Sequence, residues 1–277
     1  MKFAFSTLAC PRWSVEQVIE NAVSMGYDGV EWRLLDGEII DPVRDHAKGV
    51  HAVSRCRARG LDVCALDTSC SFNHPSTEVR TKQIADLLNW IRLAQEVQVS
   101  ILRVFGGADQ QTNSPRPSQD EVNTWVADSL RQVASEAEGA CVTAALETHD
   151  AYSSARRVAN VLQLVNSNNI AALWDSHHPY RVGETVEDVV DALQGRIAHV
   201  HVKDARRNPV DKASWQLTLL GEGEVPVRKQ LHLLTQRGYT GYVSVEWEKH
   251  WHPELAEPEI ALPQHISWLK ECISQAP

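Results

Sequence analysis

Short runs of apolar and β-branched residues alternate with longer segments of helical periodicity along this chain. Eight such runs are candidate strands, at residues 3–7, 29–32, 62–67, 100–105, 142–147, 170–175, 197–201 and 242–246. Repeated strand and helix units predict a parallel sheet covered by helices. Eight units in 277 residues fit one (β/α)8 barrel, which needs roughly 250 residues. We therefore predict an α/β TIM barrel, with a single domain over residues 1–277.

Helix boundaries in the sequence support these units. Ser14 with Gln17 three residues later predicts the start of a helix through a reciprocal capping arrangement. Gly26, Gly60 and Gly238 each precede a candidate strand, where a glycine can close a helix in the left-handed conformation. A doubly wound open sheet is the alternative, but the nucleotide-binding glycine fingerprint of that fold is absent from the sequence.

The charge of the chain narrows its partners. A net charge of −9 gives no basic surface for a phosphate backbone, so we expect no nucleic acid. No apolar run approaches the length of a membrane span, and the first residues do not resemble a signal peptide. Scattered cysteines without a C-x-x-C pair favour a reducing cytoplasm. The sequence leaves a homo-oligomer open.

Four consecutive candidate strands end in side chains that bind metals. These residues are Glu147, Asp175, His201 and Glu246. Strands five to eight are neighbours around a barrel, so their carboxyl ends should bring the four side chains together at its catalytic face. Three carboxylates and one imidazole suit Mn²⁺ or Mg²⁺ and leave Co²⁺ or Zn²⁺ open. Any one of them alone could be a helix cap or a hydrogen-bonded core residue, whereas four at equivalent positions indicate a shared site.

Two long connections, residues 106–118 and 204–226, also follow strands and should lie at the same face. The second contains Gly221-Glu222-Gly223-Glu224. Its acidity, together with the lack of a glycine-rich phosphate loop at a helix start, gives no sign of a phosphorylated substrate.

Five motifs together resemble the sugar phosphate isomerase/epimerase family with the xylose isomerase-like TIM barrel. They are Glu147-Thr148-His149, Trp174-Asp175-x-x-His178, His201-Val202-Lys203-Asp204, Gly221-Glu222-Gly223 and Val245-Glu246-Trp247-Glu248. The resemblance implies one divalent metal, often Mn²⁺, held by the four residues named above. From the keto-sugar 3-epimerases of this family it also implies substrate contacts by His178 and Arg207.

The sequence departs from two branches of that family. The epimerases carry a substrate-contacting Glu six residues after the first metal Glu, where this chain has Ser153. The endonucleases that cut at abasic sites need further His ligands on strands three and four, and these strands end in Asp67-Thr68 and Arg103-Val104. This departure argues against the DNA-repair branch.

The residues predict proton transfer next to a carbonyl. A metal that chelates a carbonyl oxygen and the adjacent hydroxyl would acidify the intervening C–H and stabilise an enediolate. Glu147 and Glu246 are the candidate base and acid. Lys203 and Glu31 join His178 and Arg207 as candidates for holding the substrate, although Lys203 could form an ion pair with a ligand carboxylate, and Arg206 could replace Arg207 after a one-residue shift.

The fate of the enediolate stays open at this stage. The leading hypothesis is an isomerase or epimerase of a keto sugar or a related small polyhydroxylated carbonyl compound. A lyase of the same fold, such as a dehydratase of a keto-cyclitol or an eliminase of a 3-keto sugar, is the alternative. A non-catalytic sugar-binding barrel is the third hypothesis, and the two flanking carboxylates argue against it. Trp247 and Trp251 are candidate walls of the pocket.

Overall fold

The barrel strands follow the apolar runs of the sequence. The computed structural model describes residues 1–109 and 117–274. Within them the strands are β1 (Lys2–Ser6), β2 (Gly29–Trp32), β3 (Leu34–Leu35), β4 (Glu38–Ile39), β5 (Asp62–Ser71), β6 (Ile101–Phe105), β7 (Thr143–Glu147), β8 (Ile170–Asp175), β9 (Ile197–Val202), β10 (Asp204–Arg207), β11 (Trp215–Thr218) and β12 (Tyr242–Val245). A closed parallel barrel runs in the order β1-β12-β9-β8-β7-β6-β5-β2. Its eight strands are the eight predicted ones, which confirms the α/β TIM barrel.

Helices connect the barrel strands on the outside. They are α1 (Val15–Met25), α2 (His46–Ala58), α3 (Thr77–Glu96), α4 (Gln119–Gly139), α5 (Ala155–Val165), α6 (His177–Arg181), α7 (Val186–Leu193), α8 (Val227–Gln236) and α9 (Pro258–Ser274). The predicted start of α1 is confirmed, since Ser14 and Gln17 form a capping box and Gly26 ends the helix in the left-handed conformation. In α5, Val158, Val161 and Val165 follow helical spacing and face the barrel as buried residues.

The long connection after β9 is ordered by one carboxylate. It forms the antiparallel hairpin β10–β11 and then folds back around Asp204. The backbone N–H groups of Gly221, Gly223 and Val225 each donate to this side chain at 3.0 Å. A Cβ at Gly223 would lie 2.1 Å from Asp204 Oδ1, so only glycine permits this approach. The Gly-Glu-Gly motif therefore has a structural role here.

The other long predicted connection, at residues 106–118, is described only in part, because residues 110–116 lie outside the described residues. A small antiparallel hairpin, β3–β4, follows β2 at the same face of the barrel. Among the described helices none combines the length and the apolar character that crossing a bilayer requires.

Candidate metal centre

The four predicted ligands meet at the carboxyl end of the barrel. Glu147 ends β7, Asp175 ends β8, His201 lies in β9, and Glu246 follows β12. One potential ligand atom of each residue lies within 4.8 Å of those of the other three. Glu147, Asp175 and His201 are fully buried, and Glu246 is 4% exposed. Side chains separated by up to 99 positions along the chain thus form one compact cluster, as the strand ends predict.

His201 connects this cluster to the barrel interior through its two ring nitrogens. Its Nδ1 lies 3.2 Å from Glu147 Oε1 and 3.5 Å from Glu246 Oε1. Its Nε2 donates to Glu31 Oε1 at 2.6 Å, and His199 Nε2 lies 2.7 Å from the other oxygen of Glu31. Glu31 therefore lies on the opposite side of the imidazole from the ligand carboxylates. This position suits Glu31 to orienting His201, and the substrate contact predicted for Glu31 stays a prediction.

Replacing Glu31 with glutamine should weaken Mn²⁺ binding by about 10- to 100-fold, because a carboxylate behind a ligating histidine fixes its tautomer and raises its basicity. The dissociation constant is measured by titration of the metal-free protein. Glu38→Gln, an exposed change just beyond the same strand, is the control and should bind Mn²⁺ as the unaltered protein does. Equal affinity of Glu31→Gln and the control would contradict this role.

Lys203 lies between the ligand carboxylates. Its Nζ is 2.6 Å from Glu246 Oε2 and 3.3 Å from Asp175 Oδ2, and it also donates to Glu248. Burial by itself would lower the pKa of Lys203, but these carboxylates outweigh burial and raise its pKa well above the usual value. The ammonium thus offsets part of the negative charge of the cluster. Of the two roles considered for Lys203, the structure shows the ion pair with ligand carboxylates.

A second buried cation was not recognised in the sequence as part of this site. Arg103, in β6, is 2% exposed, and its guanidinium lies 3.2 Å from Glu147 Oε2. Its Nε also lies 3.6 Å from Asp67 Oδ1. The signal was available, because charged residues within the apolar runs of β5 and β6 are unusual unless they pair. Glu147 is therefore bracketed by Arg103 on one oxygen and His201 on the other.

The protonation of the cluster follows from burial and these neighbours. Burial raises the pKa of Asp175 to about 6, although Lys203 acts in the opposite direction. Burial would also raise the pKa of Glu246, but Lys203 and His201 outweigh it and hold that pKa well below the usual value. Burial lowers the pKa of His201, yet the Glu31 and Glu246 carboxylates raise it well above normal. The cluster thus combines ionised carboxylates with cations at close range.

The donor set fits a divalent cation. Oxygen ligands bind Mg²⁺ at roughly 2.0–2.1 Å, which places opposite ligands about 4.2 Å apart. The ligand atoms of the four side chains lie within 4.8 Å of one another, a span only slightly wider than this. Asp175 Oδ2 is buried and accepts no hydrogen bond from the described residues. Lys203 Nζ lies 3.3 Å from this oxygen without forming a hydrogen bond to it, so the oxygen keeps a lone pair for a metal ion. Glu147, Asp175, His201 and Glu246 are thus suited to hold such an ion.

His178 connects the cluster to a cavity at the barrel mouth. Its backbone N–H donates to Asp175 Oδ1 at 3.0 Å, and its ring contacts the His149 ring in a tilted arrangement, 4.3 Å between centroids. Neither ring nitrogen has a hydrogen-bond partner among the described residues. Burial, with Lys203 acting in the same direction, lowers the pKa of His178 well below the usual value. His178 thus borders a cavity of about 640 Å³ with a neutral imidazole whose nitrogens are buried.

Two neighbouring arginines differ in their position relative to this cavity. Arg206 lines it, whereas the predicted Arg207 places its guanidinium over the Trp215 ring, 4.7 Å from the centroid. The one-residue alternative is thus the arginine that reaches the cavity. Trp215 is part of the lining, while Trp247 is buried against His265, 5.2 Å between ring centroids, and Trp251 is exposed against His250. The aromatic wall is Trp215 and not the tryptophans considered in the sequence.

Sequence comparison identifies the family and the relatives of this chain. Residues 19–272 match the model of the family described as xylose isomerase-like TIM barrel. A fructoselysine 3-epimerase of Escherichia coli O157:H7 is 31% identical over 126 residues, which cover 44% of each chain. An inosose dehydratase of Serratia proteamaculans is 25% identical over 228 residues, covering 72% of this chain and 73% of the dehydratase. The match to the epimerase therefore spans less than half of that protein.

Solved structures share the fold over the whole chain. A crystal structure of the IOLI protein with a bound zinc atom has a TM-score of 0.83 at 18% identity and covers 100% of this chain and 99% of that one. A 3-keto-D-glucoside 4-epimerase from E. coli has a TM-score of 0.79 at 18% identity, with 98% and 100% covered. At this identity the two structures establish the common fold.

Proposed function

Because the chain belongs to the xylose isomerase-like TIM barrel family, we propose that it is a divalent-metal-dependent isomerase or epimerase of a keto sugar or related polyhydroxylated carbonyl compound. The observation that carries this proposal is the buried cluster of Glu147, Asp175, His201 and Glu246 beside an open cavity. Mn²⁺ is the proposed ion, because three carboxylates with one imidazole suit it. The domain is proposed to extend over the whole chain, residues 1–277.

A divalent ion bound by these four residues would act as a Lewis acid that polarises the substrate carbonyl and the adjacent hydroxyl. The chain itself supplies the proton transfer. Glu147 and Glu246 come from β7 and β12, which are separated in the barrel by β8 and β9, so the two carboxylates approach a bound substrate from different sides. One accepts the proton from the substrate carbon, and the other returns a proton to it or to the neighbouring carbon.

Neighbouring cationic side chains keep these two carboxylates ionised. Lys203 holds Glu246 ionised, and Arg103 with His201 does the same for Glu147, whose pKa is lowered although burial and Glu246 raise it. An ionised carboxylate can accept the proton that leaves the substrate. His178 offers its neutral ring to a substrate hydroxyl, and Trp215 provides an apolar face at the cavity wall. The buried position of the cluster limits access of bulk water to the reacting carbon.

A dehydratase is the second candidate, and two observations favour it. Inosose dehydratases are among the relatives, and one of them matches 72% of this chain. At the position where the family's 3-epimerases carry a substrate-contacting Glu, Ser153 is buried and its hydroxyl donates to the Asp150 carbonyl. No carboxylate is available at that position. Loss of a hydroxyl β to the carbonyl would then follow the same proton abstraction.

The test is solvent exchange in D₂O with metal analysis of the purified protein. The protein is supplied with Mn²⁺ and incubated with a panel of keto sugars and inososes. We expect about one metal ion per chain and deuterium at the carbon beside the carbonyl. A labelled epimer or isomer identifies the first candidate, and loss of water from the substrate identifies the dehydratase. Failure to bind metal together with failure to exchange any proton would overturn the proposed function.

A further inference from the structure

Two arginines that form no ion pair with any carboxylate of the described residues line the cavity beside the metal centre. Arg181 ends α6, the helix that follows the Asp175 strand, and Arg206 lies in β10, directly after the His201 strand. Both side chains line the cavity of about 640 Å³ together with His178, Trp215 and Glu248. In the described part of the chain neither guanidinium has a carboxylate within 4.0 Å.

The two acidic side chains of the same cavity contact residues other than these arginines. Glu248 binds Lys203 and lies 3.6 Å from His252 Nε2, and Glu254 lies 3.3 Å from His252 Nδ1. The cavity therefore presents two guanidinium groups that form no ion pair with its own two carboxylates. Like charges lining one concave surface repel each other and attract an anion, because the cavity walls concentrate the field. The Gly221-Glu222-Gly223-Glu224 segment, which would oppose an anion, does not line this cavity.

The size of the cavity leaves room for such a group. Liquid water occupies about 30 Å³ per molecule, so the cavity holds roughly 20 atoms of that size. A six-carbon sugar has about twelve non-hydrogen atoms and would leave part of this space empty. His178 and Glu248 border the ligand cluster, so a substrate reacting there would extend from them towards the arginines.

We propose that Arg181 and Arg206 bind an anionic group, a carboxylate or a phosphate, that the substrate carries away from its reacting carbonyl. This inference rests on the proposed function and names the substrate class of the same site. Guanidinium groups suit both anions because their N–H donors match two oxygens at once. Trp215 packs against the carbon skeleton between the reacting end and the charged end.

The test compares three probes of one carbon skeleton. D-fructose, D-fructuronate and D-fructose 6-phosphate are titrated calorimetrically into the Mn²⁺-loaded protein at low ionic strength, where exposed charges are least screened. We expect at least one anionic probe to bind about tenfold or more tightly than D-fructose. The double variant Arg181→Gln/Arg206→Gln should lose this preference. Arg92→Gln should keep it, since Arg92 is exposed on α3 and donates to Asn89 outside the cavity.

The two anionic probes separate the sources of the anion, since preference for one of them identifies carboxylate or phosphate. Equal binding of all three probes, no binding of any, or a preference that survives in the double variant would each overturn the inference. Survival in the double variant would assign the preference to direct anion binding by the metal.

Deuterium exchange in the same samples tests the proposed function separately. A preference removed by the double variant, without exchange in any ketose, supports the anion site and contradicts the enzyme. Exchange in neutral ketoses, without tighter binding of either anionic probe, supports the enzyme and contradicts the anion site.

Discussion

Replacing Glu246 with glutamine is expected to lower the rate of deuterium exchange into the substrate by at least about 1,000-fold. A positioned general acid or base contributes about 10²- to 10⁴-fold, and this carboxylate would be lost both as a base and as a ligand. Glutamine retains the size of the side chain, so the barrel should fold unchanged. The change also removes one negative charge beside the Lys203 ammonium. Because the site then carries more net positive charge and lacks one carboxylate ligand, Mn²⁺ should bind more weakly.

Measurement at saturating Mn²⁺ separates the loss of the acid or base from the loss of the metal ligand. If Glu246 transfers a proton, the exchange rate stays low when the metal site of the variant is full. Glu20→Gln is the matched control, because Glu20 is exposed on α1 and far from the cluster, and it should exchange at the normal rate. A Glu246→Gln protein that retains a tenth or more of the exchange rate at full metal occupancy would exclude Glu246 as the acid or base.

Replacing Arg103 with methionine should destabilise the metal-free protein by about 3–5 kcal/mol, a fall in melting temperature of roughly 6–20 °C. The methionine fills similar space but leaves Glu147 buried without the cation that lies 3.2 Å from its Oε2. A buried carboxylate without its partner either remains charged at high cost or takes up a proton. Thermal unfolding in the presence of a chelator measures the loss.

Adding Mn²⁺ tests whether Arg103 stabilises the protein through the metal cluster. Mn²⁺ at the four-residue cluster would supply positive charge to Glu147, so the gap in melting temperature between the variant and the unaltered protein should narrow when Mn²⁺ is added. Arg12→Met is the control, since Arg12 is 74% exposed in its pair with Glu257 and should change the melting temperature by no more than about 2 °C. A gap that is the same with and without Mn²⁺ would show that Arg103 does not act through the metal cluster.

The sequence predicted the fold well because its signals are local. Each barrel strand is a short apolar run, and each helix boundary, such as Ser14 with Gln17, depends on residues within one turn. The four residues of the candidate centre could be predicted from the sequence in the same way. Each follows or ends an apolar run, and in a parallel barrel all such ends meet at one face, so no distance between the strands had to be known.

The side chains that contact those four residues could not be predicted, because the sequence does not give the distances between strands. Alternation along a strand gives the face of a side chain but not its neighbour across the barrel. The register between β2 and β5 shifts between Val30 and Glu31, and this irregularity is not visible as a pattern. Glu31 contacts His201 from 170 positions away, on the side of the ring opposite the ligand carboxylates. A one-residue difference in the β10–β11 hairpin likewise placed Arg206 in the cavity and Arg207 on Trp215.

The sequence by itself thus determined the barrel and the set of ligand-type residues at its mouth, because strand periodicity and strand ends are properties of a few consecutive residues. The tertiary structure decided which charges are paired. Lys203 and Arg103 form ion pairs with carboxylates of the cluster, whereas Arg181 and Arg206 form none with a carboxylate of the described residues. Charge pairing is set by side-chain distances of a few ångströms, and these are fixed only when the barrel closes and the loops after its strands pack against each other.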